Sequence, residues 1–282
     1  MYTFFKLILT TTLVSCFYLS FTLVTESKGK LFIIGGGNRT TALMQRMVSE
    51  SGIDKGGYAV VLPMSSEDPD TAYYYVNIDF KALGCNNVQK LFCTKAQAND
   101  PVKADSIRHA KLIYISGGDQ SRFMDVVEGS AVLKAIRDAY QNGSMIAGTS
   151  AGAAVMSQIM ITGNTLKGKE YAATFNTIEA DNIETRDGLG MIRNAIIDQH
   201  FVKRSRHNRL ITAIIEYPGM KGIGIDESTA ILVKANDAEV VGESQVLVYA
   251  NPLKSKSEKN GKLAAHGLTL DIYLPGEHFS LE

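Results

Sequence analysis

The sequence has no net charge and few cysteines, and both features exclude classes of function. Lysine plus arginine and aspartate plus glutamate each total 29 among 282 residues, so no net field draws the chain to nucleic acid or to an anionic membrane. A charged ligand must therefore be recognised by a local group of side chains. The three cysteines, Cys16, Cys85 and Cys93, lack metal-ligand spacing, and we predict neither a disulfide framework nor a metal site.

The glycine-rich turns lack the residues that bind nucleotides. In GGGNRT, Thr40 stands where a dinucleotide-binding fingerprint has its third glycine or alanine. GTSAGA, which begins at Gly148, lacks the lysine of a phosphate-binding loop. We therefore expect no nucleotide and no other cofactor.

The first 29 residues have the composition of an export segment. Lys6 is followed by an apolar run that is almost free of charge and ends before Glu26. The letters LVSC, which end at Cys16, resemble a bacterial lipoprotein box, in which the cysteine is lipidated. A cleaved signal peptide, a lipoprotein signal and a membrane anchor all stay open, and each predicts export to the periplasm or the cell surface.

From Lys30 onward, short apolar runs alternate with helical patterns, which predicts an α/β fold with a mostly parallel sheet covered by helices on both faces. Several runs are apolar without alternation, as in strands that are buried on both sides. After Ile161 the order changes, and we expect antiparallel additions near the C-terminus. No linker or repeat lies between Lys30 and Pro252, which predicts one domain over 30–282 with a polar C-terminal tail.

The clearest candidate for chemistry is Ser150. It lies between Gly148 and Gly152 in a G-x-S-x-G pattern, after a strand and before a helix, where a sharp turn exposes the hydroxyl above the sheet. The same letters also suit a plain tight turn between a strand and a helix. Ligands of parallel sheets bind at the carboxyl ends of the strands, where this turn lies.

A nucleophilic serine needs a base, and histidine is the usual partner. His200 follows an apolar run at the predicted end of a strand, where sites in such folds assemble. His207 is the weaker candidate, because it falls in the following helix. His109, His266 and His278 lie in polar contexts typical of surface residues.

The third member of a catalytic triad is a carboxylate that holds the histidine in the correct tautomer. Asp226 and Glu227 follow an apolar run in GIGIDESTAILV. Neighbours on a strand point to opposite sides, so the pattern alone does not choose between the two acids. A β-turn that carries two acids explains the segment equally well.

Four ordered motifs, GTSAGA, ISGGDQ, DQHFVKRSRHNRL and GIGIDESTAILV, resemble the serine hydrolase family that comprises cyanophycinase and the aspartyl dipeptidase peptidase E. The resemblance spans about 30–250 and is closer to the cyanophycinase branch, because GGDQ and the arginine-rich run are features of that branch. It implies a flavodoxin-like sheet similar to that of class I glutamine amidotransferases. Those enzymes carry cysteine where this chain has Ser150, which disfavours glutaminase chemistry.

The resemblance also implies roles for particular residues. Ser150 matches the nucleophile, His200 the base and Glu227 the acid, and the N–H groups of Gly118 and Ala151 match the oxyanion donors. Six further residues match positions that line the substrate groove: Gln120, Asp198, Gln199, Arg204, Arg206 and Arg209. Guanidinium groups bind carboxylates in pairs of hydrogen bonds, which suits a poly-aspartate substrate, although a solvated basic helix also explains these arginines.

The implied substrate is cyanophycin, a poly-aspartate chain with arginine on each side-chain carboxyl, which is cut to β-aspartyl-arginine. A dipeptidase similar to peptidase E and a non-catalytic binding protein of the same fold remain as alternatives. An acidic pocket for the substrate arginine is expected, and the sequence leaves Asp181, Glu184 and Asp187 open for it. Monomer and homodimer also stay open.

Overall fold

The structure is a computed structural model that describes residues 29–167 and 174–282. Residues 1–28 of the expected export segment, and Cys16 with them, lie outside the described residues. Within the two described ranges, no helix is both long enough and apolar enough to cross a bilayer.

An eight-stranded sheet forms the centre of the fold. In order across the sheet, its strands are β16 (His278–Ser280), β11 (Asp237–Gly242), β10 (Thr229–Lys234), β1 (Lys30–Ile34), β5 (Met145–Thr149), β4 (Leu112–Ile115), β2 (Ala59–Leu62) and β3 (Val88–Lys90). The strands from β1 to β3 in this order are parallel, whereas β10, β11 and β16 run antiparallel to their neighbours. The predicted mixed α/β fold with a large sheet is confirmed.

Helices cover both faces of this sheet, because its strands present apolar residues on both sides. The helices are α1 (Thr41–Ser51), α2 (Pro69–Ala82), α3 (Pro101–Arg108), α4 (Gln120–Val127) and α5 (Ala131–Gln141). Successive residues of a strand face opposite ways. Phe32 of β1 therefore packs with α1 and α2, while Leu31 and Ile33 pack with α3, α4 and α5.

The C-terminal additions differ in part from the expectation, because some of them form a second sheet. Its strands, in order, are β15 (Thr269–Tyr273), β12 (Val246–Ala250), β9 (Lys221–Ile225) and β8 (Ala195–Gln199), and β8 and β9 are parallel. One face of this sheet carries Ile197 and Ile223 into the core that α3, α4 and α5 share. The other face, with Ile196, packs against α7 (His207–Glu216). Burial on both faces explains the apolar run Ala195–Ile197 of β8, while in β9 glycines alternate with isoleucines.

Other elements are the four-residue helix α6 (Ala151–Ala154) and two hairpins, β6 (Ile159–Thr165) with β7 (Ile183–Asp187) and β13 (Ser257–Lys259) with β14 (Lys262–Ala264). The two sheets meet beside the carboxyl end of β1. There the N–H of His200, after β8, donates to the carbonyl of Gly35 at 2.7 Å. Residues that follow strands of both sheets are thereby brought to one place.

Candidate active site

Ser150 occupies a strained turn between β5 and α6. Its φ and ψ are 53° and −110°, an unusual conformation for a residue other than glycine. A Cβ on Gly148 would lie 2.3 Å from the carbonyl oxygen of Gly152, and one on Gly152 would lie 2.2 Å from that of Ile115. Both flanking positions therefore require glycine, as the G-x-S-x-G pattern indicates.

The structure brings Ser150, His200 and Glu227 into one hydrogen-bonded chain. The distance from Ser150 Oγ to His200 Nε2 is 2.8 Å, and that from His200 Nδ1 to Glu227 Oε1 is 2.7 Å. A carboxylate only accepts hydrogen bonds, so Nδ1 carries the ring proton and donates it to Glu227. Nε2 is then the acceptor for the hydroxyl of Ser150.

Burial lowers the pKa of His200, and the positive charges of Arg204 and Arg206 lower it further. The hydrogen bond to Glu227 acts in the opposite direction. The imidazole is therefore neutral at neutral pH and able to accept a proton.

Two glycines of the turn after β1 pack against His200 and Glu227. Gly36 has a φ of 109°, and a Cβ there would lie 2.3 Å from the His200 ring. Gly37 has a φ of 70°, and a Cβ there would lie 2.6 Å from that of Glu227. The sequence pattern indicated only a turn at these glycines. The signal that could have found them is the unbroken GGG after a buried strand, at the edge where ligands bind.

Asp226 does not contact His200. One of its carboxylate oxygens accepts the N–H of Lys203 at 2.9 Å, and the other accepts the hydroxyl of Ser244 at 2.8 Å. Its side chain therefore fixes the turn after β8. His207, the weaker candidate base, also lies away from Ser150, since its Nδ1 is 2.7 Å from the Tyr249 hydroxyl.

Gly118 and Ala151, the expected oxyanion donors, both lie near Ser150. Ala151 begins α6, and Gly118 lines the same cavity as Ser150. Gly118 has a φ of 134°, and a Cβ there would lie 2.1 Å from the carbonyl oxygen of Ser65. In the described part of the chain, neither N–H donates to a protein acceptor.

A cavity of about 300 Å³ opens beside Ser150. Five of the six residues expected to bind substrate line it: Gln120, Gln199, Arg204, Arg206 and Arg209. The sixth, Asp198, has no exposed surface and lies behind the cavity wall.

The three arginines have different environments. Arg209 is 1% exposed, and its guanidinium donates to both carboxylate oxygens of Asp198, at 2.7 Å from Nε to Oδ2. Arg206 donates from Nη1 to the carbonyl of Gln199 at 2.7 Å. Arg204 is exposed, and its guanidinium has no protein partner within residues 29–167 and 174–282. Arg204 is therefore the arginine that can bind a ligand without losing a protein contact.

The two glutamines also differ. Gln120 donates from Nε2 to the carbonyls of Ile161 and Thr162, at 2.8 and 2.7 Å. Gln199 is 5% exposed, and its side-chain amide makes no hydrogen bond to the described residues. The amide of Gln199 is thus a buried polar group that faces the cavity and suits a peptide ligand.

Besides Asp119 and Ser121 at the start of α4, three cavity residues that were not foreseen lie in β6: Thr162, Gly163 and Asn164. They form a bulge in β6, which the polar letters of this segment did not reveal. Of the three acids left open for an arginine pocket, Glu184 accepts hydrogen bonds from Thr162 and Asn164, whereas Asp181 and Asp187 are exposed elsewhere on or beside β7. No cluster of three or more histidine, cysteine, aspartate or glutamate side chains suits a metal ion in the part of the chain that the structure covers.

Comparison with known proteins gives a consistent set of relatives. The sequence model of peptidase family S51 matches residues 31–241. A cyanophycinase of Nostoc sp. is 31% identical over 268 residues, which cover 90% of this chain and 86% of that protein. A peptidase E of Pasteurella multocida is 26% identical over 182 residues, which cover 62% of this chain and 70% of that protein.

Among solved structures, a peptidase from an acI-B1 actinobacterium superposes with a TM-score of 0.65. The match covers 90% of this chain and 98% of that one at 22% sequence identity. At this identity the likeness concerns the fold.

Proposed function

The chain belongs to peptidase family S51, and on that premise we propose that Ser150 is its nucleophile, His200 its general base and Glu227 the acid that orients His200. Membership makes the chain a hydrolase of the peptidase class, so the alternative of a non-catalytic binding protein falls away. The observation that carries the assignment of roles is the hydrogen-bonded chain from Ser150 Oγ through His200 to Glu227.

The first half of the reaction forms an acyl-enzyme. Ser150 Oγ attacks the peptide carbonyl carbon while His200 Nε2 takes the hydroxyl proton. The carbon–nitrogen bond then breaks, and His200 gives the proton to the leaving amine. In the second half, a water molecule attacks the ester, its proton passes to His200 and then to Ser150 Oγ, and the acid product leaves.

The N–H groups of Gly118 and Ala151 would stabilise the negative oxygen of each tetrahedral intermediate. This assignment is supported by their position near Ser150 and by the absence of protein acceptors for them in the described residues. The strand, turn and helix around Ser150 also support an arrangement like that of class I glutamine amidotransferases, with serine in place of cysteine.

The substrate that we propose is cyanophycin, with β-aspartyl-arginine as product. Two observations support this substrate. A relative named cyanophycinase is 31% identical over 90% of this chain, and the cavity wall is polar. The exposed guanidinium of Arg204 suits the carboxylates of such a chain, and the buried amide of Gln199 suits its backbone. The second candidate, an aspartyl dipeptidase, is supported by the match to a peptidase E.

The decisive experiment incubates the purified protein with cyanophycin and, separately, with Asp-X dipeptides, and identifies the products by mass spectrometry. We expect β-aspartyl-arginine from the polymer and no product from either substrate with Ser150→Ala. Rapid cleavage of the dipeptides with the polymer intact would assign the chain to the dipeptidase activity and leave the triad standing. Hydrolysis by Ser150→Ala near the parental rate would overturn the triad.

We also propose export, on the composition of residues 1–29. Mass spectrometry of the native N-terminus should find a lipidated Cys16, another cleavage point, or an anchored chain that keeps Met1. An intact chain that is freely soluble in the cytosol would contradict export.

A further inference from the structure

The bulge in β6 brings backbone and side chains to the cavity beside Ser150. The pairing of β6 with β7 shifts register between Ile161 and Thr165, and Gly163 has a φ of 104°. Bulges of this kind redirect side chains and are common next to active sites. Here the bulge places Thr162 and Asn164 on the cavity wall.

Two side chains hold the bulge from different elements. Gln120, at the start of α4, donates to two successive carbonyls of the bulge. Glu184 of β7 accepts the hydroxyl of Thr162 and, at 2.8 Å, the Nδ2 of Asn164. Both hydrogen bonds reach the same oxygen, Oε2 of Glu184. The other oxygen, Oε1, has no hydrogen-bond partner among the described residues.

Glu184 is a carboxylate beside the cavity whose charge is not neutralised by a hydrogen-bonded cation. Asp119, which lines the cavity, accepts the backbone N–H groups of Ser121 and Arg122 at the start of α4 through one carboxylate oxygen, Oδ1. Arg186, next but one to Glu184, donates to Asp125 and Glu128. The hydrogen bonds from Thr162 and Asn164 lower the pKa of Glu184, so it is charged at neutral pH.

Among the described residues, Arg204 is the cavity cation without a protein partner, and Glu184, which holds the two cavity-wall residues Thr162 and Asn164, keeps one carboxylate oxygen without a partner. The other two arginines bind protein groups, with Arg209 held by the buried Asp198. A ligand that matches this pair of charges carries both a carboxylate and a cation.

We propose that Glu184 is a specificity-determining residue that binds the cationic side chain of the substrate residue next to the scissile bond. The inference rests on the proposed peptidase function and adds to it the residue that selects a guanidinium-bearing substrate. Thr162 and Asn164 hold the carboxylate in place for this contact, and Arg204 binds a substrate carboxylate.

The same hairpin supplies a matched control. Asp187 lies three residues from Glu184 on β7, so the two carboxylates are separated by about 10 Å along the strand. Asp187 is exposed and pairs with Ile159, away from the bulge. Asp187→Asn removes the same charge from the same strand without touching the cavity.

The test compares arginine with citrulline, its neutral isostere, in β-aspartyl dipeptide ligands and in polymer-like substrates. The wild type should prefer arginine. In Glu184→Gln, kcat/KM for the arginine substrate should fall about tenfold to a hundredfold, mainly through KM, and that for citrulline should stay the same. Asp187→Asn should retain the preference. A retained preference in Glu184→Gln, or an equal loss on both substrates, would overturn the proposal.

Binding measurements distinguish a failure of this inference from a failure of the proposed function. Calorimetry of β-aspartyl-arginine and β-aspartyl-citrulline is carried out in a Ser150→Ala background, where no hydrolysis takes place. We expect Ser150→Ala to bind β-aspartyl-arginine more tightly than β-aspartyl-citrulline. The double variant Ser150→Ala with Glu184→Gln should bind the two ligands equally. Absence of hydrolysis in the wild type would count against the proposed function alone, while equal binding of the two ligands by Ser150→Ala would count against Glu184.

Discussion

The two halves of the candidate site are held in place by different forces. On the nucleophile side, which comprises β4, β5, α6 and the turns after the strands, backbone contacts leave no room for a side chain at Gly118, Gly148 or Gly152. On the base side, which comprises β8, β9 and residues 200–206, a buried ion pair joins Asp198 to Arg209.

This difference predicts which substitutions each half tolerates. Close backbone contacts respond to added volume, because neighbouring carbonyls cannot move away cheaply. A buried ion pair responds to lost charge, because the partner left behind is desolvated and unpaired. The nucleophile side should therefore be sensitive to added volume, and the base side should in addition be sensitive to lost charge.

The largest effect is expected from the charge of Glu227. Glu227→Gln removes the carboxylate that fixes the tautomer of His200 and stabilises its protonated form, and a loss in kcat on the order of 10⁴ is expected. The matched control is Asp226→Asn. Asp226 is the adjacent acid, but its carboxylate is hydrogen-bonded to Lys203 and Ser244 and not to His200. Steady-state rates of both variants decide the matter, and greater damage from Asp226→Asn would reverse the assignment.

Next in size is the stability lost with the buried charge pair. Asp198→Asn leaves the guanidinium of Arg209 without its carboxylate, and the free energy of unfolding should fall by about 3–5 kcal/mol. Arg204→Ala, on the same segment but exposed, should change it by less than about 0.5 kcal/mol. Urea unfolding measures both, and similar values for the two variants would remove the distinction between these arginines.

On the nucleophile side, added volume should lower the activity even when no charge is changed. Gly152→Ala places a methyl group 2.2 Å from the carbonyl of Ile115, so α6 must shift together with Ser150. Displacement of a nucleophile by about 1 Å typically costs on the order of 10² in rate. Gly219→Ala is the control, because a Cβ there meets nothing within 4 Å. Parental activity in Gly152→Ala would show that this turn adapts to volume.

The same contrast explains what could be predicted from the sequence. Ser150 is recognisable from five adjacent letters, because the tight turn needs small residues at fixed offsets. The pairing of His200 with Glu227 depends on β8 and β9 lying side by side in a second sheet, which no local pattern encodes. The division of the three arginines was also hidden, since helical spacing does not reveal that Asp198 is buried beneath two of them.

Gly36, Gly37 and the bulge at Thr162–Asn164 were missed for a related reason. Their importance comes from contacts with residues far away in the sequence, His200, Glu227 and Gln120. The alternation of strands and helices, in contrast, is a property of neighbouring residues and predicted the large sheet and its helices.

The smallest effect concerns the long-range influence of Arg204 on His200. Burial lowers the pKa of His200 below its usual value, and the positive charge of Arg204 lowers it further because it disfavours the imidazolium. A base must be neutral to accept the proton of Ser150, so kcat/KM should rise with pH as His200 loses its proton. Arg204→Ala removes part of the repulsion, which raises the pKa of His200 and moves this rise to higher pH. Lys203→Ala is the control, since Lys203 is exposed and is not among the groups that shift His200. A pH–rate profile that is unchanged in Arg204→Ala, on a neutral peptide substrate, would show that Arg204 does not lower the pKa of His200.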